Sequence, residues 1–267
     1  MAIITKRVGN LEYLAAESIP VPHCFSTRLG GVSRGSLSSL NLGIHRGDDP
    51  ENVVENFRIL GEAVGFSPED TVFTRQIHTD VVRRVGSANR GEGLFAPVGV
   101  DCDALITAEP GVALTVFTAD CTPVLLYDPA TGAVGAAHAG WRGTALGIAG
   151  KTVAAMAEQF GARPENIRAA IGPNIGVCCF ETHREVPQAM YDALGREAEP
   201  FIHPKGEKYL VDLKGINALW LRKAGVEQIE ISGECTACRP DRFWSHRVTG
   251  GERGSLAAII VCKGGKA

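Results

Sequence analysis

The sequence predicts an α+β fold in which mixed β-sheets pack with helices as a sandwich, one domain over residues 1–267. Short apolar runs bounded by turn residues follow one another closely enough to pair as hairpins. Helical segments interrupt them without the strict alternation of a doubly wound sheet. No repeat, low-complexity tract or linker divides the chain.

In chain order, Asp49 is a good N-cap, Pro50 suits the first helical position and Gly65 a left-handed stop. Val53, Phe57, Leu60 and Val64 recur between them at helical spacing as one buried stripe. Thr71–Ile77 and Asp80–Val85 read as extended. Val112–Thr118, Val124–Tyr127 and Ala133–Ala137 are short apolar strands, with a turn at Asp128-Pro129-Ala130-Thr131-Gly132 between the last two. A helix is expected from Thr144 to Phe160, stopped by Gly161, and a strand at Ile167–Ile171. Helices follow at Glu185–Leu194 and at Leu213–Ala224, the latter between Asp212 and Gly225. Strands at Ile229–Ile231 and Leu256–Val261 complete the set.

Of 267 residues, 45% are apolar and 21% charged, which excludes a disordered or fibrous chain. The net charge is −3, with no Lys/Arg cluster longer than a pair, which argues against nucleic-acid binding. The start, MAIITKRVGNLEYL, has no continuous apolar core of a signal peptide. The most apolar stretch, ALITAEPGVALTVFTADC, is broken by Glu109, Pro110 and Asp120, so no membrane span is expected. A soluble, cytoplasmic protein follows, whose eight cysteines read as buried thiols or metal ligands rather than disulfides. No G-x-G-x-x-G follows a strand and no P-loop is present.

Three residues with soft or borderline ligand atoms stand at strand ends: His78 in Gln76-Ile77-His78, Cys121 in Ala119-Asp120-Cys121-Thr122-Pro123, and His138 after Val134–Ala137. Two of these strands are expected to be hairpin partners. Two imidazoles and a thiolate match the three protein ligands of a catalytic zinc site. Cys121 also fits a nucleophile with His138 or His78 as base and Asp120 as orienting group, or a buried core thiol. Arg58, beside the buried stripe, and Arg142, after Trp141, are candidate phosphate holders or plain surface charges. Cys235-Thr236-Ala237-Cys238 is half of a structural zinc site. Cys178 and Cys179, adjacent in an extended chain, would face opposite ways, one lining the site and one packing.

The ordered segments Leu40-Asn41-Leu42-Gly43-Ile44-His45, Gln76-Ile77-His78, Asp103-Ala104-Leu105-Ile106-Thr107, Thr118-Ala119-Asp120-Cys121-Thr122-Pro123 and His138-Ala139-Gly140-Trp141-Arg142-Gly143 precede three more. These are Ile171-Gly172-Pro173, Cys178-Cys179-Phe180-Glu181 and Cys235-Thr236-Ala237-Cys238. The set resembles the YfiH-like family, also called laccase-domain or multicopper polyphenol oxidase proteins. The resemblance runs from about residue 22 to the C-terminus. It implies zinc, or copper, held by His78, Cys121 and His138. It implies phosphorolysis of adenosine, inosine and methylthioadenosine, with adenosine deamination. Asn41, Arg58 and Arg142 would bind substrate and phosphate, and Asp103 or Asp120 would act as acid or orient a ligand histidine. Purine nucleosides and phosphate are the implied partners, with the oligomeric state left open.

The chain departs from the family pattern at Thr79, where Gly is usual and the pocket mouth would narrow, and at Phe57, where an Arg often follows Asn56. The family fold is related to a bacterial toxin's cysteine-hydrolase domain. A Cys-dependent amidase acting on peptidoglycan precursors is therefore the alternative. A copper-dependent phenol oxidase is the weaker one. Seven histidines and three methionines offer one good site at most, though copper entering a zinc site would give weak oxidation.

Overall fold

Side chains along Ala113–Thr118 alternate between two cores, and that alternation explains the layering. Leu114 and Val116 join one apolar cluster with Phe25, Leu105, Leu125 and Val134. Ala113 and Phe117 join another with Val53, Phe57 and Leu60. A strand with both faces buried needs a second layer on each side.

The computed structural model describes residues 2–265. In chain order its elements are β1 (Ile3–Val8), β2 (Leu11–Ala16), β3 (His23–Ser26), α1 (Pro50–Val64), β4 (Thr71–Phe73), β5 (Val82–Arg84), β6 (Ala104–Thr107), β7 (Ala113–Thr118), β8 (Thr122–Tyr127), β9 (Val134–Ala139), α2 (Trp141–Ala145) and α3 (Ile148–Phe160). There follow β10 (Arg168–Ile171), β11 (Glu181–Thr182), α4 (Glu185–Leu194), β12 (Ile202–Lys205), β13 (Lys208–Val211), α5 (Leu213–Lys223), β14 (Gln228–Ile231), α6 (His246–Thr249) and β15 (Leu256–Val261).

One mixed sheet runs β1-β2-β3-β15-β7-β4 and a second runs β14-β10-β8-β9-β6-β5, with a small sheet β11-β13-β12 beside them. The central core lies between the two large sheets. α1 covers the outer face of the first sheet, and α3 and α5 cover that of the second. The expected α+β class and the sandwich both hold. Among the described residues no helix is long and apolar enough to cross a membrane.

The cap chemistry accounts for the helices. The Asp49 carboxylate accepts the Glu51 amide at 3.0 Å, and Gly65 ends α1 in the left-handed region at φ 104°. Asp212 caps α5 by accepting the Gly215 amide at 3.1 Å. Phe57, the departure from the family pattern, is fully buried against Phe73, with ring centroids 5.2 Å apart.

Three expectations need correction. The helix expected over Thr144–Phe160 is broken: Gly147 takes φ 76°, which splits it into α2 and α3, and α2 begins earlier, at Trp141. The strand expected over Thr71–Ile77 stops at Phe73. Beyond it the Gln76 side chain pairs with the next strand in place of backbone, donating to Phe117 O at 2.8 Å and accepting from Phe117 N at 2.7 Å. Cys121 and His138 do not end hairpin partners. β7, before Cys121, belongs to the first sheet, whereas β8, after it, pairs antiparallel with β9.

Candidate active site

The chain passes from one sheet to the other at Ala119-Asp120-Cys121, between β7 and β8. Asp120 makes that crossing at φ 87°, in the left-handed region that non-glycine residues seldom occupy. Its carboxylate is held on three sides: Oδ1 accepts from Thr236 Oγ1 at 2.6 Å, and Oδ2 accepts from Ser245 Oγ at 3.1 Å and Arg247 N at 2.7 Å. The turn thus aims the Cys121 sulfur out of the sandwich edge.

His138 lies on β9, in alternation with Val134 and Ala136, whose side chains enter the central core. It is buried, and its Nδ1 lies 2.7 Å from Asp103 Oδ1. Asp103 is fully buried just before β6, where it also accepts the amides of Ile77 (3.1 Å), His78 (3.1 Å) and Thr79 (2.9 Å). One carboxylate therefore fixes one imidazole directly and the backbone of the other. His78 itself is exposed and sits at φ 62°, a second left-handed non-glycine residue at this site. Strain held in place by surrounding hydrogen bonds is typical of functional positions.

The nearest ring nitrogens of His78 and His138 and the Cys121 sulfur all lie within 4.8 Å of one another. Cys121 Sγ is 3.9 Å from His78 Nε2, and the two rings meet edge-on with centroids 5.0 Å apart. Gly140 makes room for them: a Cβ there would lie 2.5 Å from His78 Cδ2 and 3.4 Å from Cys121 Sγ. With Nδ1 of His138 committed to Asp103, its Nε2 is left to face the cluster. This donor set and spacing fit one metal ion, with the carboxylate behind the histidine that such sites usually carry.

Electrostatics follow from the same contacts. Burial would push the Cys121 thiol up, but the charge of His138 and hydrogen bonds with His138 and His78 bring it down to about 6. Burial would lower His138, but the facing Cys121 charge and the Asp103 hydrogen bond raise it to about 9. Asp103, which burial alone would raise, is held below the usual carboxylate range by His138 and the Thr79 and Ile77 amides.

A cavity of about 710 Å³ opens beside the cluster, lined by His78, Cys121 and His138 together with Ile44, His45, Arg46, Phe95, Phe117 and Arg253. A smaller one of about 290 Å³ adjoins it, lined by Trp141, Ile175, Phe180, His246 and Arg247, with His78, Cys121 and Arg253 shared between the two.

The two arginines expected to hold phosphate lie away from both cavities. Arg58 is paired with Glu55 at 2.6 Å and with Glu62 on the exposed side of α1, and it lines neither cavity. Arg142 lies over the Trp141 ring, 4.2 Å from its centroid, and also lines neither. Asn41 is fully buried, with its amide spent on Gly43, Asp48 and the Ser255 amide, so it supports the loop that carries Arg46 rather than facing the cavity. Thr79 lines neither cavity, so it does not narrow the mouth. The group orienting His138 is Asp103, not Asp120.

Three guanidiniums line the larger cavity, Arg46, Arg75 and Arg253, and of these Arg75 is paired with Asp101 at 2.5 Å. Arg253 has a buried Nε with no hydrogen-bond partner among the described residues, and burial together with the nearby Arg46 lowers the pKa of the side chain to about 10. The only sequence signal for it is a lone arginine in the glycine-rich stretch Gly250-Gly251-Glu252-Arg253-Gly254. Cys178 and Cys179 also depart from expectation: a tight turn closed by Cys179 N to Gly176 O at 3.0 Å lets both sulfurs face Cys238.

This architecture is that of known YfiH-type structures. The solved YfiH protein of Bacillus licheniformis superposes with a TM-score of 0.91 at 34% identity, over 97% of this chain and 99% of that one. A purine nucleoside phosphorylase of Deinococcus radiodurans is 41% identical over 94% of this chain and 92% of its own length. The purine nucleoside phosphorylase YlmD of Geobacillus stearothermophilus is 40% identical over 88% of each. The family described as multi-copper polyphenol oxidoreductase laccase matches residues 22–263. The chain belongs to this YfiH-like, laccase-domain family.

Proposed function

We propose that the chain is a zinc-dependent purine nucleoside phosphorylase that cleaves adenosine, inosine and methylthioadenosine, and that also deaminates adenosine at the same centre. The observation that carries this reading is the cluster of His78, Cys121 and His138 opening onto a cavity that also receives Arg253 and Arg46. The names of the relatives support the substrate class.

His78 Nε2, Cys121 Sγ and His138 Nε2 would hold the metal. Bound there, zinc supplies Lewis acidity and activation of water at neutral pH, with copper as the competing occupant. Asp103 keeps the proton on His138 Nδ1 and so presents Nε2 as a donor. Arg253, whose buried Nε has no partner among the described residues, receives phosphate with Arg46, because an unpaired buried donor costs about 1–3 kcal/mol that an anion recovers. A phosphate oxygen then bonds to the ribose anomeric carbon, the bond to the purine nitrogen breaks, and its electron pair leaves with the base. Ile44, Phe95 and Phe117 form an apolar wall of that cavity.

Inosine is incubated with and without phosphate. Hypoxanthine and ribose 1-phosphate forming only with phosphate, and lost in Cys121→Ala, is the expected result. Phosphate-independent release would sink it.

A second reading has a specific observation behind it: Cys121, His138 and Asp103 also have the order of a nucleophile, base and orienting carboxylate. A cysteine amidase would keep its activity in chelator and trap an acyl group on Cys121 when given a peptidoglycan precursor.

A further inference from the structure

Four of the eight cysteines meet at one point away from the cluster at Cys121. The sulfurs of Cys178, Cys179, Cys235 and Cys238 all lie within 4.8 Å of one another, with Cys178 and Cys179 at 3.6 and 3.3 Å from Cys238. At a zinc–sulfur distance of about 2.3 Å, tetrahedral geometry needs sulfurs about 3.8 Å apart. A disulfide needs about 2.05 Å and would leave two of the four thiols without a role.

Two further observations point to a ligand. Gly176 sits against the group: a Cβ there would lie 3.2 Å from Cys178 Sγ and 3.4 Å from Cys235 Sγ, while its amide donates to Cys235 Sγ at 3.1 Å. Lys214, buried nearby, makes no ion pair among the described residues and donates to Ser232 O at 2.8 Å and Glu234 O at 2.5 Å. Burial lowers that ammonium below its ordinary value, and the charges opposing the shift are Cys235 first, then Asp212 and Glu234. A buried cation without a carboxylate partner is costly unless a negative group stands near it. Four thiolates around a divalent ion carry net negative charge.

We propose that Cys178, Cys179, Cys235 and Cys238 form a second, structural centre holding one zinc ion through four thiolates. With four protein ligands it has no open position for substrate, and binding releases the thiol protons to solvent. The centre clips together two loops that both grip Asp120. Ile175 N donates to Asp120 O at 2.9 Å, Thr236 Oγ1 donates to its carboxylate, and Thr236 N donates to Asn174 O at 2.9 Å. The clip thereby braces the strained turn that aims Cys121.

The test counts zinc on the full chain carrying His78→Ala and Cys121→Ala together, which empties the first centre. One zinc per chain is expected to remain, and to be lost when Cys178→Ser or Cys238→Ser is added. Cobalt loaded into the chain with all four cysteines intact should show the charge-transfer and d–d bands of a tetrahedral thiolate site, a readout that does not depend on whether those serine variants fold. A double variant with no zinc and no such bands overturns the proposal. So does a Cys178–Cys238 or Cys179–Cys238 disulfide found by thiol titration of freshly purified protein.

Discussion

Asp103 Oδ1 stands 2.7 Å from His138 Nδ1, while the same carboxylate takes the amides of Ile77, His78 and Thr79. A residue that lines neither cavity thus orients one imidazole and holds the backbone of the other. Its carboxylate is saturated by four donors, which suits orientation rather than proton transfer. Asp103→Asn is expected to weaken metal binding about 10–100-fold, the usual cost of losing such a partner. Zinc titration against a competing chelator reads this directly. An unchanged affinity in a folded variant would show that the carboxylate does not govern the ligand.

Arg253 and Arg46 predict a different signature. Removing a charged donor from an anion costs about 1.5–3 kcal/mol, or about 10–150-fold. Arg253→Ala should raise the KM for phosphate by that order while metal content stays at the wild-type level. Arg58→Ala and Arg142→Ala should leave the phosphate KM near wild type, because neither side chain lines a cavity. Equal effects from all three would contradict the assignment.

How much of this was readable in the sequence depended on whether the signal was local. Asp49, Gly65 and Asp212 act within one turn of their own helix, so the caps were legible. β2 was not, because Glu12 interrupts its apolar run although every residue of the strand is buried. His78, Cys121 and His138 could be picked out as polar residues at the ends of apolar runs. Which carboxylate orients His138 could not, since Asp103 reaches it only through β6 pairing with β9. Arg58 misled because proximity to the buried stripe in sequence places it beside Glu55 and Glu62, not beside the cavity. Cys178 and Cys179 misled because the Gly176 turn removes the extended geometry on which opposed side chains depend.

Gly140 is the tightest steric statement at the centre. A Cβ there meets the His78 ring at 2.5 Å, closer than real contacts allow, and the Cys121 sulfur at 3.4 Å. Gly140 has φ −64°, so alanine is not strained by backbone conformation and the whole effect falls on the ligands. Gly140→Ala should displace His78, reduce zinc occupancy and lower activity, with little change in the urea midpoint. Full zinc content and activity would mean that the ring moves aside freely.

The Cys121–His138 pair sets a pH prediction for chelator-treated protein. Cys121 is brought down to about 6, whereas Cys24 is pushed up to about 12 and Cys102 to about 11 by burial. The thiolate is the reactive form. Above about 6 Cys121 is therefore ionised and alkylates quickly, and as the pH falls through 6 it takes up a proton and the rate drops. Burial protects Cys24 and Cys102 throughout. Removing the imidazole in His138→Ala deletes the charge that lowers the thiol, so the midpoint should move up toward the ordinary cysteine value of about 8.5. Iodoacetamide labelling followed by peptide mass spectrometry measures both the site and the midpoint. A wild-type midpoint already near the ordinary value, or one that ignores His138→Ala, would show that the facing imidazole does not control the sulfur.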